Sequence, residues 1–397
     1  MPNNPTHPGI YVAEIATPSA VTGVASGVAA FLGPVTPEAD LTPARLTHRN
    51  DVARYASADP AAPLAQALRA FFENGGHHAL VVPVATTASD QSALIAALDS
   101  LAPSETFNLL VIPPLPDGSD IEPEIWAAAA RICRRRRALL LIDAPLAWEQ
   151  ADDPVGAAIA GIATLRAALD PATYPHAALY FPRLVVEEDT TIAPGGAVSI
   201  APGGAAAIAP SGAIAGVIAR KDAERGLWKA PAGLDASFGG VSDVSRRFTD
   251  RENGRLNPHA INTLRRFPIG PVVWGARTLA GADALASEWK YIPVCRLAWF
   301  IEESLRTGLA WAIFEANDAQ LWTRIRARAE TFLTSLFRQG AFQGIKPEEA
   351  YFVTCDATTT TPEDIASGRL TLQIGFAPLK PAEFIIVTVP LTAQKPA

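Results

Sequence analysis

The chain has 397 residues, of which 49% are hydrophobic and 18% charged, and its net charge is −7. That is enough apolar content for two or three domains with their own cores, and the acidic balance argues against a general nucleic-acid binder. No run free of both charge and proline reaches the roughly 18 residues a membrane-spanning helix needs, and the opening MPNNPTHPG lacks a basic region followed by an apolar core, so no span and no secretion signal is expected.

Cys133, Cys295 and Cys355 are too scattered for a disulfide framework or a zinc site and read as buried thiols. Residues 1–20 carry Pro2, Pro5, Pro8 and Pro18, which forbid a helix, around the extended run Gly9-Ile10-Tyr11-Val12-Ala13-Glu14-Ile15. A strand so near a terminus must pair, either as an edge of the chain's own sheet or as an arm lent to a neighbouring subunit.

From residue 21 the pattern turns to α/β. Strands are expected at 28–32, 80–84, 109–112 and 138–142, and helices at 63–74, 92–101 and 122–137, the first helix closed by Gly75-Gly76. Strands alternating with helices imply a mostly parallel sheet covered on both faces. Asp143 ends the last of these strands, where α/β enzymes place an acid, although a turn-forming role before Pro145 serves as well. The run Arg134-Arg-Arg-Arg137 suits a helix carboxyl end, where cations complement the exposed carbonyls, or an anionic partner surface.

Between 192 and 215 lies a repeat, IAPGGAVS, IAPGGAAA, IAPSGAIA, beginning at Ile192, Ile200 and Ile208. Its glycine pairs lack the preceding strand and following helix of a phosphate cradle, so a surface loop or flap is expected. Ser211, Asp222 and His259 could serve as nucleophile, orienter and base, but Ser211-Gly212 lacks the G-x-S-x-G elbow and a triad is a matter of geometry. In the stretch 255–279, RLNPHAINTLRRFPIGPVVWGARTL, Asn257 is expected to cap a short helix over 259–266 that Phe267-Pro268 ends, followed by a strand at 272–274.

The carboxyl third reads as a helix over 294–314, with Ile301, Leu305, Leu309 and Ala312 on one side, and a second over 316–338 capped by Asn317 or Asp318. On the second helix Trp322, Ile325, Ala329, Phe332, Leu333 and Leu336 share one arc, while Arg324, Arg328, Thr331, Ser335 and Arg338 share the other, without an acid. Such a face is either solvated or meets an acidic partner. Strands are expected at 351–354 and 370–374, and the run 383–389 reads as a last one, so both chain ends are extended arms.

Several stretches, in one order, resemble the contractile tail sheath proteins of phages and related injection particles. They include Pro8-Gly-Ile-Tyr-Val, Phe71-Phe-Glu-Asn-Gly-Gly76, Arg225-Gly-Leu-Trp-Lys-Ala-Pro231, the whole of 255–279, Trp289-Lys-Tyr-Ile-Pro-Val, Phe300-Ile-Glu-Glu-Ser and Trp311-Ala-Ile-Phe-Glu. Leu321-Trp322, Pro347-Glu-Glu-Ala-Tyr-Phe352, Ala377-Pro378 and Lys380-Pro-Ala-Glu-Phe384 continue the likeness.

The resemblance implies a mixed α/β multi-domain sheath fold. It has a subtilisin-like core over 21–279 that includes the repeat loop 192–215, an α+β carboxyl domain over 280–383 facing a tube, and strand arms at 1–20 and 384–397. It implies a structural subunit without enzymatic activity or cofactor, in stacked hexameric rings round an inner tube protein, with baseplate and terminator or cap proteins, sibling sheath proteins, and neither nucleic acid nor membrane as partner. The arms would pair through Ile10, Tyr11, Val12, Ile15, Phe384, Ile385, Ile386, Val387 and Val389, and Arg324, Arg328 and Arg338 would face the tube. Assembly would occur in a bacterial cytoplasm, and the product would be a phage tail or a released extracellular particle. The rival readings are a subtilisin-fold hydrolase, which needs a reactive serine such as Ser211, and a nucleotide-binding α/β enzyme, which needs a phosphate loop.

Overall fold

The computed structural model describes residues 20–35, 41–56, 61–85, 91–101, 106–187 and 205–381. Every arm residue named above lies outside them, as do the first repeat unit and most of the second. The chain divides into two compact units, one holding residues 20–24 with Ile301–Ala377 and the other Ala25–Phe300 with residues 378–381 among those described.

The larger unit is built on strands β1 (Ala29–Val35), β2 (Ala44–Leu46), β3 (Ala79–Ala85), β4 (Leu109–Val111), β5 (Leu139–Asp143) and β6 (Ala177–Phe181), with β7 (Leu184–Glu187), β8 (Ala205–Ile208) and β9 (Asp243–Val244) in a second sheet, and β10 (Ile261–Phe267) and β11 (Gly270–Val273) closing the first. The main sheet is eight-stranded in the order β11-β10-β6-β5-β4-β1-β3-β2. Its inner strands are parallel, and β2 and β11 are antiparallel edges. The class is therefore mixed α/β, as expected.

The apolar runs of the parallel strands have a direct cause, because successive side chains point to opposite faces and both faces are covered. Leu140 and Ile142 join one core cluster, with Leu94 and Leu98 of helix α2 (Ser92–Ser100), Ile125 and Ile132 of α3 (Pro123–Arg136), and Ile162 and Leu165 of α4 (Pro154–Ala168). Leu139 and Leu141 join the other, with Leu64, Leu68 and Phe71 of α1 (Pro63–Glu73) and Ile214, Val217 and Ile218 of α5 (Ser211–Arg225). At the end of α1 the buried Asn74 ties its side chain to the Ala70 carbonyl at 2.8 Å and accepts from the Gly239 amide at 2.9 Å.

Three expectations fail here. The sequence pattern marks no element between 143 and 192, yet α4 and β6 stand there. Helix α4 is rich in Ala, Gly and Ile on all sides and shows little periodicity, so its start is signalled chiefly by Asp153, which accepts the Gly156 amide at 3.0 Å.

The helix expected over 259–266 is strand β10. A short helix, Asp250–Leu256, and a single turn, Asn257–His259, precede it, and Ala260 reverses the chain at φ 59°. Ile261 to Leu264 then enter the sheet beside β6, Ile261 and Leu264 facing opposite cores. Asn262 is buried because its side chain bonds the Leu179 and Arg277 carbonyls and the Arg277 amide at 2.7–3.1 Å. The proline-containing stretch read as a helix stop is the tip of the β10–β11 hairpin.

The loop expected through 215 ends earlier. Ala205–Ile208 pairs antiparallel with β7, and Ser211 to Ala215 form the buried first turns of α5. Its glycines explain this, since a Cβ on Gly212 would stand 2.4 Å from the Ala67 carbonyl oxygen and one on Gly216 would stand 2.3 Å from that of Phe71. Small residues four apart let α5 lie directly on α1.

In the smaller unit, helix α6 (Ile292–Gly308), inside which the division between units falls, is followed by the turn Ala310–Ala312 and helix α7 (Ala319–Arg338). Strands β12 (Tyr351–Thr354) and β13 (Gln373–Phe376) form a two-stranded antiparallel sheet. The strand expected at 370–374 is shifted, because Leu370 and Leu372 pack with Leu321, Ile325 and Cys355 instead. Phe342, Tyr351 and Phe376 make the second packing centre. All three cysteines are free and buried, and burial raises the pKa of Cys133 and Cys295, keeping them as thiols.

Candidate functional site

Asp318 starts helix α7 by accepting the Leu321 amide at 2.9 Å. Asn317 is engaged differently, since its Oδ1 accepts the Trp322 indole N–H at 2.7 Å and its Nδ2 donates to the Arg369 carbonyl. The helical period then buries Leu321, Ile325, Ala329, Phe332, Leu333 and Leu336 and leaves Arg324, Thr331, Ser335 and Arg338 exposed, with Arg328 half-buried.

One turn apart on this face, Arg324 and Arg328 hold their guanidinium carbons 4.5 and 4.3 Å from the ring centre of Trp311. Each such contact contributes about 0.5–1 kcal/mol at a partly exposed site. Arg324 also pairs with Glu315 at 3.3 Å. The face expected to be without an acid thus receives one from the turn before the helix. Arg338 stands about 15 Å further along the axis, at the carboxyl end where a cation suits the helix dipole. The structure brings Arg324 and Arg328 together and leaves Arg338 apart. Trp311 and Glu315, which orient the pair, stand in the sequence within a recognised motif, but nothing in their spacing joins them to α7.

Of the residues considered for catalysis, Ser211 and Asp222 have their side chains engaged elsewhere, and His259 is tied through its backbone. Ser211 donates its amide and hydroxyl to the two oxygens of Asp143, at 2.8 and 2.7 Å. Burial pushes the Asp143 pKa up to about 6, while the Ser211 bonds act the other way. Asp143 is thus a buried tether between β5 and α5 rather than a turn former. Asp222 lies about 16 Å down the helix from Ser211, in a two-pronged pair with Arg296 at 2.7 and 2.5 Å. The carbonyl of His259 accepts from Arg166.

The arginine run on α3 makes long surface pairs, Arg134 to Asp170 at 3.8 Å and Arg135 to Asp99 at 3.5 Å, and Arg136 lies over Phe107. Such exposed pairs contribute little. Among the described residues no group of three His, Cys, Asp or Glu could hold a metal ion, and no helix is long and apolar enough to cross a membrane.

The family model of the phage tail sheath protein central domain matches residues 64–279, and that of the phage tail sheath C-terminal domain matches residues 286–392. Among solved structures, the chain is similar to the PVC sheath complex of an extracellular contractile injection system in the contracted state, with 27% identity over 98% of both chains and a TM-score of 0.74. It is similar to the helical sheath of the anti-feeding prophage in the contracted state, with 30% identity over 98% of this chain and 99% of that one and a TM-score of 0.70. A sheath tail protein of Desulfitobacterium hafniense shares the fold alone, at 10% identity over 87% of this chain and 93% of that one, with a TM-score of 0.57. No curated protein sequence matches. The central-domain match alone spans more than half of the chain, which therefore belongs to the phage tail sheath family and is a structural subunit of a contractile sheath.

Proposed function

We propose that copies of this chain stack as hexameric rings around an inner tube, and that contraction of the stack drives the tube through a target envelope without catalysis by the subunit. The observation that carries this is likeness over almost the whole length of the chain to a subunit of a helical sheath in its contracted state. Chains matched in assembled sheath and baseplate complexes support a polymer of like subunits.

In such a polymer the arms, at Ile10, Tyr11, Val12 and Ile15 and at Phe384, Ile385, Ile386, Val387 and Val389, add strands to neighbouring copies. Main-chain bonds then keep subunits joined while their folded bodies move. Arg324 and Arg328 meet an acidic tube surface, with Arg338 at the margin. The engaged states of Ser211 and Asp222 favour a structural role over hydrolysis. Subunits assemble in a bacterial cytoplasm and end in a phage tail or a released particle, together with baseplate and cap proteins and any sibling sheath proteins.

Tube-templated assembly tests the arginine pair. Arg324→Glu with Arg328→Glu should lower the yield of sheath on purified tubes at least tenfold, and wild-type yield would remove the pair from the tube contact. An active-site serine probe should leave Ser211 unlabelled; stoichiometric labelling would restore the hydrolase reading.

A further inference from the structure

Phe314 has the most exposed large hydrophobic side chain among the described residues, at 103%, and its neighbour Ile313 is 64% exposed. Its backbone also lies in the left-handed region, at φ 71°, which a bulky residue rarely adopts. Strain of this kind persists only where the surroundings enforce it.

They do so here. The turn Ala310–Ala312 ends with the Ile313 amide on the Ala310 carbonyl at 3.2 Å, and the Glu315 amide bonds the Ala312 carbonyl at 3.2 Å. Trp311 is held under Arg324 and Arg328, and Glu315 is held by Arg324. A turn fixed on both sides of Phe314 thus projects an aromatic ring into solvent. No packing within the described chain rewards that arrangement, so its reward lies in a partner.

Charge narrows the partner. The same turn gathers two guanidinium groups over Trp311 and one carboxylate at Glu315, a cationic flank to the turn that carries the two apolar side chains. An interface of that anatomy buries an aromatic anchor in a pocket and leaves charges at the rim.

We propose that Ile313 and Phe314 form an apolar knuckle that enters a recess in the inner-tube protein, with Arg324 and Arg328 meeting carboxylates at its rim. This rests on the reading that the α7 face meets the tube. With only two side-chain anchors per copy each contact is weak, and repetition along the polymer multiplies them, so the tube is gripped collectively and released when the copies move together.

Full-length Phe314→Gly, Ile313→Ser and Phe314→Trp, together with Arg324→Glu/Arg328→Glu, test the proposal by co-sedimentation with purified inner tube and by self-association without tube. Glycine accepts the left-handed backbone, so Phe314→Gly removes the ring without straining the turn. The expected result is at least a tenfold loss of tube-bound sheath for Phe314→Gly and Ile313→Ser, retention for Phe314→Trp, and unchanged Tm and tube-free self-association. Wild-type tube binding by Phe314→Gly, with loss in the arginine variant, would overturn the knuckle and leave the arginine contact standing. Wild-type binding by both would overturn both. Equal loss of tube-free self-association by Phe314→Gly would make a second copy the occupant and overturn the proposal.

Discussion

Two buried carboxylates show how residue chemistry is spent on the fold. Asp222 and Arg296 face each other with side chains 5% exposed each. Arg296→Met strands a charge and should cost about 3–5 kcal/mol in urea unfolding, whereas the double change with Asp222→Leu should recover most of it, because a buried pair gains little over apolar packing. No recovery would mean that the arginine acts through other contacts.

Asp143 adds a pH dependence. Burial raises its pKa from 3.8 to about 6 in the folded protein, so the folded state holds the proton more tightly. Its contribution to stability is largest below about pH 4, falls as pH rises to about 6, and is level above that. Asp143→Asn should flatten that part of the stability profile; an unchanged slope would show that other groups set it. In the sequence Ser211, Asp143 and Asp222 look like chemistry because their partners, 68 and 74 residues away, leave no local mark.

Among the elements, what was legible was what one face or two covered faces impose. Strands β1, β3 and β5 appear as apolar runs, and α1, α3 and α7 as periodic stripes ending near their observed limits. Helix α4 is small and apolar all round, and β10 takes its conformation from β6 and from Asn262, so neither shows locally. The third repeat unit shows the same limit. Its Ala-Pro-Gly-like text reads as loop, while Gly212 and Gly216 four residues apart are the trace of a close helix pair. Gly216→Val should destabilise the larger unit by at least about 1–3 kcal/mol through overpacking against α1. A Tm within a degree of wild type would contradict that close approach.

For the whole molecule, the family was legible because many short motifs stand in one order along the chain. The site proposed to face the tube was only half legible. Arg324 and Arg328 lie on one helix face, but Trp311 and Glu315 reach them through the turn, which leaves no mark in the pattern of α7 itself. Deleting residues 1–16 or 384–397 should abolish assembly while leaving Tm within about 2 °C, since arms that pair between copies add little to the core of one copy. Long sheaths from either truncation would end the strand-exchange proposal.

Negative-stain electron microscopy of the purified chain, alone and expressed with its neighbouring genes, tests the sheath assignment most directly. Hollow striated cylinders are the expected result. Only monodisperse particles in both preparations would contradict it.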